Sequence, residues 1–214
     1  MKRTAALTDT AGRYRNAQDG DISTGKERKQ MLYVTRHGQT GWNALNKVLG
    51  RTDIPLDAKG VEQARSLARS LEGLEIDEIW CSPLTRTRQT AEAVSQATGL
   101  GYRTDDRLIE QDFGRFEGVN RFDAGYQEAK RKFCAGYPGT ESYEEMAARV
   151  YPLIRETEGK NVLLVTHGGI CRIIRGYFED MEAEDYINFS QGNCELRMYE
   201  NSHVRKPGPE EREE

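Results

Sequence analysis

Two short stretches place a histidine and a glycine directly after an apolar run: Leu32-Tyr33-Val34-Thr35-Arg36-His37-Gly38 and Val162-Leu163-Leu164-Val165-Thr166-His167-Gly168-Gly169. Both runs favour β-structure, so each histidine falls where a buried strand breaks into a loop, the usual ligand edge of an open α/β sheet. An Arg-His-Gly triplet alone arises by chance in roughly one chain of this length in a hundred, so partners have to carry the argument. A third apolar run, Ile76 to Trp80, leads into Cys81-Ser82-Pro83-Leu84-Thr85-Arg86. Two histidines and two arginines, Arg36 and Arg86, then gather on one sheet edge. Guanidinium forks beside an uncharged imidazole suit a phosphate monoester, because they bind its oxygens in pairs and neutralise charge that spreads over them during transfer. They also lower the imidazole pKa and keep its lone pair free to attack. A carboxylic acid must still protonate the departing alcohol and then deprotonate water. Glu110, in Leu108-Ile109-Glu110-Gln111-Asp112-Phe113-Gly114, is the leading candidate.

The elements that must position these groups alternate between strand and helix. From Asp57, the residues Val61, Ala64, Leu67, Ala68 and Leu71 share one helical face, and Gly73 ends the helix. Ser82 as N-cap and Pro83 at the first helical position open a second helix, running to about Ala97. Tyr102 to Thr104 reads as a short edge strand. Asp105 to Thr140 is less regular, with Phe122, Tyr126, Ala129 and Phe133 at helical spacing. Ser142 and Glu145 form a capping-box pair for a helix lined by Met146, Val150 and Ile154, which Pro152 should kink or loosen. A helix from Ile170 to about Phe178 and a strand from Glu195 to Tyr199 complete the pattern, which predicts a mostly parallel sheet covered on both faces.

The chain has 214 residues, 36% hydrophobic and 31% charged, with a formal net charge of −4. That length supports one domain with a real core. The acidity argues against nucleic acid as the main partner, since backbone phosphates need a dominant basic surface. Cys81, Cys134, Cys171 and Cys194 show no paired spacing, and the three histidines are too far apart for a helical metal pair, so neither zinc nor disulfides are expected. No apolar run approaches the ~20 residues that span a bilayer, and Ala5-Ala6-Leu7 is too short for a signal-peptide core. A soluble, cytoplasmic protein is expected. Residues 1–30 have no apolar period and read as a flexible extension, with Met31 as a possible translation start; residues 202–214 read as a disordered acidic tail, leaving 31–201 as the domain.

Several blander readings stand beside the sharper ones. Arg88 lies two positions from Arg86, about 200° around a helix, and should face water. Lys130-Arg131-Lys132 could reach an anion but reads better as a solvated helix face. His203 lies in the polar tail. Cys81 has the wrong spacing to Arg86 and to Arg88 for a cysteine phosphatase and is more simply a buried strand-end residue.

Taken in order, Thr35-Arg36-His37-Gly38-Gln39-Thr40 with Trp42-Asn43, Gly50-Arg51-Thr52-Asp53-Ile54-Pro55-Leu56, Ser82-Pro83-Leu84-Thr85-Arg86 with Gln89-Thr90-Ala91, Leu108-Ile109-Glu110 with Asp112-Phe113-Gly114 and Glu117-Gly118, and Val165-Thr166-His167-Gly168-Gly169 resemble the motifs of the histidine phosphatase superfamily, the phosphoglycerate mutase-like proteins. The resemblance spans about Met31 to Glu200. It implies a three-layer α/β/α sandwich, no metal or organic cofactor, and phosphate passed through a phosphohistidine. By position it implies His37 as nucleophile, Arg36, Arg86 and His167 as the phosphate pocket, Asn43 and Gly168 as supporting contacts, and Glu110 as proton donor. The implied partner is a small phosphorylated metabolite; no sequence feature specifies an oligomeric state. Thr87, Arg88, Gln111 and Thr140 depart from the commonest family pattern without removing a catalytic group, and Gln111 and Thr140 bear on substrate preference. The compact interval between Glu110 and the last buried strand favours a phosphatase over a mutase, whose cap is longer; a non-catalytic phosphate-binding module is the third reading.

Overall fold

The computed structural model describes residues 29–132 and 137–201. The expected N-terminal extension up to residue 28, Phe133, Cys134, His203 and the acidic tail lie outside the described residues. Five strands form one sheet in the order β3-β2-β4-β1-β5: β1 (Met31–Arg36), β2 (Glu78–Cys81), β3 (Tyr102–Thr104), β4 (Val162–Thr166) and β5 (Leu196–Glu200). The first four run parallel, and β5 joins β1 antiparallel. Helices on both faces make this the α/β/α sandwich that the strand–helix alternation implies.

The two cores follow the period-2 alternation of strand side chains. On one face Leu32, Val34, Trp80, Val162 and Leu164 meet α5 (Tyr143–Glu156), α6 (Gly168–Phe178) and Tyr186 of α7 (Ala183–Asn188). On the other, Tyr33, Ile79, Cys81, Leu163 and Val165 meet Leu67 and Ala68 of α2 (Ala58–Ser70) and Ala91 and Val94 of α3 (Thr85–Thr98). All five residues of β4 are buried because it is flanked on both edges and covered on both faces. Two short helices, α1 (Gly41–Ala44) and α4 (Ala124–Arg131), lie in the connections over the strand ends.

Most of the expected elements form, with informative shifts. Asp57 caps α2 and Ser142–Glu145 is a reciprocal capping box on α5. The second strand starts at Glu78 rather than Ile76, because its partner β4 begins at Val162 and Glu78 pairs with that residue. Helix α3 begins at Thr85, not at Pro83, and Ser82 is not its cap. Asp53 performs that role from a distant loop, accepting hydrogen bonds from the Thr85 amide at 2.8 Å and the Thr85 hydroxyl at 2.7 Å. Phe122 precedes α4 and is 72% exposed instead of packed on it. Pro152 lies inside α5, which continues past it to Glu156. Helix α7 has no counterpart in the sequence reading.

One contact between α6 and α7 yields a stability prediction. A Cβ on Gly176 would overlap the hydroxyl of Tyr186, which donates to the Tyr143 hydroxyl at 3.1 Å. Alanine has the better helix propensity, by about 1 kcal/mol, yet overpacking a filled core costs about 1–3 kcal/mol. Gly176→Ala is therefore expected to lower the urea midpoint; an unchanged or raised midpoint would show that α7 is loosely held.

Candidate active site

Sheet register builds the centre of the site. Arg36 pairs with Thr166 at the C-terminal ends of β1 and β4, so the next residues, His37 and His167, emerge side by side. The ladder continues one step, from the His37 amide to the Thr166 carbonyl at 2.9 Å, and the two imidazoles lie edge to face with centroids 5.2 Å apart. Strand β2 ends on the other side of β4, and Ser82 Oγ there meets His167 Nε2 at 2.7 Å. Three strand ends that are remote in sequence thus converge. Gly38 lets the chain leave β1 here, since a Cβ on it would sit 2.4 Å from the Gly60 carbonyl oxygen at the start of α2.

Arg86, in the first turn of α3, is wholly buried. Its Nε donates to His167 Nδ1 at 3.3 Å, and its two terminal nitrogens donate to the Thr52 carbonyl at 2.9 Å and the Gly50 carbonyl at 2.5 Å. The loop carrying those carbonyls is fixed from its other side by Glu117, which accepts from the Gly50 amide, the Arg51 amide and the Thr52 hydroxyl at 3.1, 2.9 and 2.8 Å. Arg88 is exposed, as the helical angle requires. Arg36 donates to the Gln191 carbonyl at 3.1 Å, while its buried Nε has no hydrogen-bond partner among the described residues.

Glu110 is held against the start of α6. Its carboxylate accepts from the Gly169 amide at 3.1 and 3.2 Å and from the Gln111 amide at 2.9 Å. A Cβ on Gly169 would come within 2.5 Å of Glu110 Oε1. Gly169→Ala, in a helix where alanine is favoured by about 1 kcal/mol, is therefore expected to leave the melting temperature unchanged or raised. Displacing the carboxylate should lower kcat by about 10- to 100-fold, part of the 10²–10⁴ that a positioned acid contributes. Parallel loss of stability and activity would contradict this.

Hydrogen bonding fixes both tautomers. His37 Nδ1 lies 2.7 Å from the Gly38 carbonyl, which can only accept, so the proton is on Nδ1 and the lone pair on Nε2. His167 Nδ1 accepts from Arg86, so its Nε2 carries the proton and donates to Ser82 Oγ. Burial, followed by the charges of Arg36 and Arg86, holds His37 well below the ordinary histidine pKa. His167 is pushed down likewise, by burial first, then by Arg86, His37 and Arg36. Desolvation also lowers Arg86, to about 10, and lowers Arg36. Cys81 is a buried thiol pushed up to about 12 by desolvation, as a strand-end packing residue should be.

A cleft of about 250 Å³ opens beside this centre. Arg36, Asn43, Glu110 and Gly168 line it, whereas His37, Arg86 and His167 sit deeper, at most 2% exposed. Asn43 is oriented by a capping box with Thr40, whose amide donates to Asn43 Oδ1 at 3.1 Å. All seven residues singled out in the sequence thus fall in or against one site. Lys130 does not face water as the basic run suggested: it is half-buried on the cleft wall, and only Arg131 and Lys132 are exposed. Helical spacing identified the face of α4 but not what that face covers. Ser82, Arg121, Tyr126, Arg172 and Gln191 escaped the sequence reading; a strand-end serine beside a strand-end histidine was the one available signal, for Ser82. Among the described residues no three His, Cys, Asp or Glu side chains could hold a metal ion, and no helix is long and apolar enough to cross a membrane.

A Salmonella choleraesuis (strain SC-B67) protein named as a phosphoglycerate mutase, GpmB, is 36% identical over 149 residues, 64% of this chain and 69% of that protein. A solved mycobacterial glucosyl-3-phosphoglycerate phosphatase superposes with a TM-score of 0.71 at 28% identity, over 80% of this chain and 90% of the other. Phosphoserine phosphatase from Entamoeba histolytica, solved with 3-phosphoglyceric acid, gives a TM-score of 0.67 at 29% identity, over 79% and 89% of the two chains. The profile of the histidine phosphatase superfamily, branch 1, matches residues 32–206, and the chain belongs to that superfamily.

Proposed function

We propose that the protein is a phosphatase of small-metabolite phosphomonoesters that works through a phosphohistidine on His37. The observation that carries this reading is the fixed tautomer of His37: Nδ1–H is committed to the Gly38 carbonyl, and Nε2 accepts no hydrogen bond among the described residues. In the first step Nε2 forms a bond to phosphorus as the ester oxygen–phosphorus bond breaks, and Glu110 passes its proton to the departing oxygen. In the second, Glu110 takes a proton from water, the water oxygen bonds to phosphorus, and the nitrogen–phosphorus bond breaks to release inorganic phosphate and restore His37. Arg36 and Arg86 hold the phosphoryl oxygens in both steps, His167 joins them once its Nε2–H turns from Ser82 Oγ to the phosphoryl group, and Asn43 and the Gly168 amide support them. No step calls on a cofactor or a metal, and the expected partner is the metabolite alone, in the cytoplasm.

Brief reaction with a phosphomonoester followed by acid and alkali treatment tests the intermediate. Phosphate on the protein should be labile to acid, stable to alkali and absent from His37→Ala. Equal labelling of that variant would end the assignment. The mutase reading is favoured by the name of the 36%-identical relative, and uses the same pocket but returns phosphate to a second hydroxyl. Release of inorganic phosphate from 3-phosphoglycerate outpacing formation of 2-phosphoglycerate supports hydrolysis, and the reverse supports the mutase.

A further inference from the structure

Glu110 stands in a stretch, residues 109–113, that belongs to no strand or helix. No backbone ladder sets its place, so its position has to come from other bonds. Its carboxylate leans on the Gly169 amide and on the Gln111 amide, which donates at 2.9 Å. What fixes Gln111 and its neighbour is Glu141, just ahead of α5. The Glu141 carbonyl accepts from Gln111 Nε2 at 2.8 Å, and its amide donates to the Asp112 carbonyl at 2.9 Å. Its carboxylate accepts from the Asp112 amide at 3.3 Å. Three polar groups of the two residues that follow the acid thus end on one residue.

Glu141 is itself held from two sides. Its side chain is 10% exposed, and Arg149 of α5 grips both carboxylate oxygens, at 2.8 and 2.9 Å, a fork that fixes direction as well as distance. Arg149 in turn donates to the Arg107 carbonyl at 2.6 Å. Arg51, on the loop whose carbonyls aim Arg86, reaches the Glu141 carboxylate at 3.3 Å, the Glu110 carbonyl at 3.4 Å and the Asp112 carboxylate at 3.5 Å. That loop also abuts the acid segment directly: a Cβ on Gly50 would come within 2.5 Å of the Gln111 carbonyl oxygen.

We infer that Glu141 is a positioning residue for proton transfer: gripped by Arg149 and tied by Arg51 to the loop that aims Arg86, it keeps the segment carrying Glu110 in register with the phosphoryl group. It touches neither the substrate nor the reacting atoms. The inference rests on the reading of Glu110 as the acid. A proton passes only across a hydrogen bond of about 2.6–3.2 Å, so a small drift of an irregular segment is enough to lose it.

The test separates proton transfer from phosphate binding. p-Nitrophenolate departs as a stable anion and needs no proton, whereas the alkoxide of glycerol 2-phosphate needs one. kcat/KM reads phosphoryl transfer to His37 and leaves the later hydrolysis out of the comparison. Glu141→Gln is expected to lower kcat/KM for glycerol 2-phosphate by about 10- to 100-fold and that for p-nitrophenyl phosphate by less than about threefold, because Glu117 still fixes the loop that aims Arg86. Arg51→Met, at a side chain 42% exposed where folding is not at issue, should move the ratio of the two rates in the same direction by about threefold or more. In a Glu110→Gln background, Glu141→Gln should change the glycerol 2-phosphate rate by less than about threefold, since a positioning residue acts only through the group it positions. Equal losses on both substrates, or the full loss on glycerol 2-phosphate persisting in Glu110→Gln, would make Glu141 a structural residue and overturn the inference. Failure of Glu110→Gln itself to discriminate between the two substrates would instead remove Glu110 as the acid, and the inference with it.

Discussion

Arg86→Met is expected to lower kcat/KM for p-nitrophenyl phosphate by about 10³-fold or more, the scale on which a phosphoryl-clamping arginine acts, while the protein still folds. Two opposing terms set the stability side. Removing the guanidinium orphans the Gly50 and Thr52 carbonyls, at about 1–3 kcal/mol each where they stay unhydrated. It also relieves the burial of a cation whose pKa has fallen from 12.5 to about 10, a shift worth about 3 kcal/mol. The terms largely offset, so urea unfolding should show a loss of at most about 3 kcal/mol. Arg86→Lys restores the charge without the fork that reaches Gly50, Thr52 and His167 together, so it should recover only a small part of the activity. A methionine variant that unfolds, or one that keeps its activity, would show that Arg86 is a structural strut and not a phosphate ligand.

The offset bears on why the arginine is there. A buried ion is weak evidence for stability, because an apolar residue of similar size often does as well. Here the cation is held by two backbone carbonyls and a neutral imidazole rather than by a carboxylate. Glu110, Asp53 and Glu117 favour its charge from a distance, but none of them bonds it among the described residues, so the guanidinium keeps donors close to His37, where a phosphate dianion would need them. The Glu117 clamp on the Gly50 to Thr52 loop is part of the same arrangement, since it fixes the carbonyls that aim the guanidinium.

The parts of this site that could be read from the sequence are those in which a local pattern dictates a position. An apolar run that ends in a polar residue places His37 and His167 at strand ends whatever the neighbours are, and parallel topology brings those ends to one edge. The register of Arg36 with Thr166, which makes the two rings adjacent, is a property of pairing that neither segment states alone. Ser82 shows the limit from the other side. A serine followed by proline is a sound helix-start signal, but Asp53 supplies the cap from 32 residues away and frees the hydroxyl for His167. Lys130 was misplaced for a related reason: periodicity orients a side chain about its own helix, while the cleft wall is made where α4 meets α6.

Acidification from pH 6.5 to 5 is expected to destabilise the protein with a slope that approaches two protons. Both imidazoles are held neutral by burial and by the arginines, with folded-state pKa values well below the 6.5 of the unfolded chain. As pH falls through 6.5 the unfolded chain takes up two protons that the native state refuses, so stability drops by about 1.4 kcal/mol per pH unit for each histidine. Over this window the two together amount to about 3 kcal/mol, a large share of the 5–15 kcal/mol typical of a domain. The carboxylates held low by ion pairs or caps, Glu78, Asp105, Glu145 and Glu156, add their own losses only nearer pH 4. Urea midpoints measured at half-unit steps should therefore fall steeply between pH 6.5 and 5, and His37→Asn or His167→Asn should each remove about half of that slope. A flat stability curve across the window would mean that both rings accept a proton in the native state, and half the expected slope that one of them does. The lone pair on which phosphoryl transfer depends would then be missing in the same pH range.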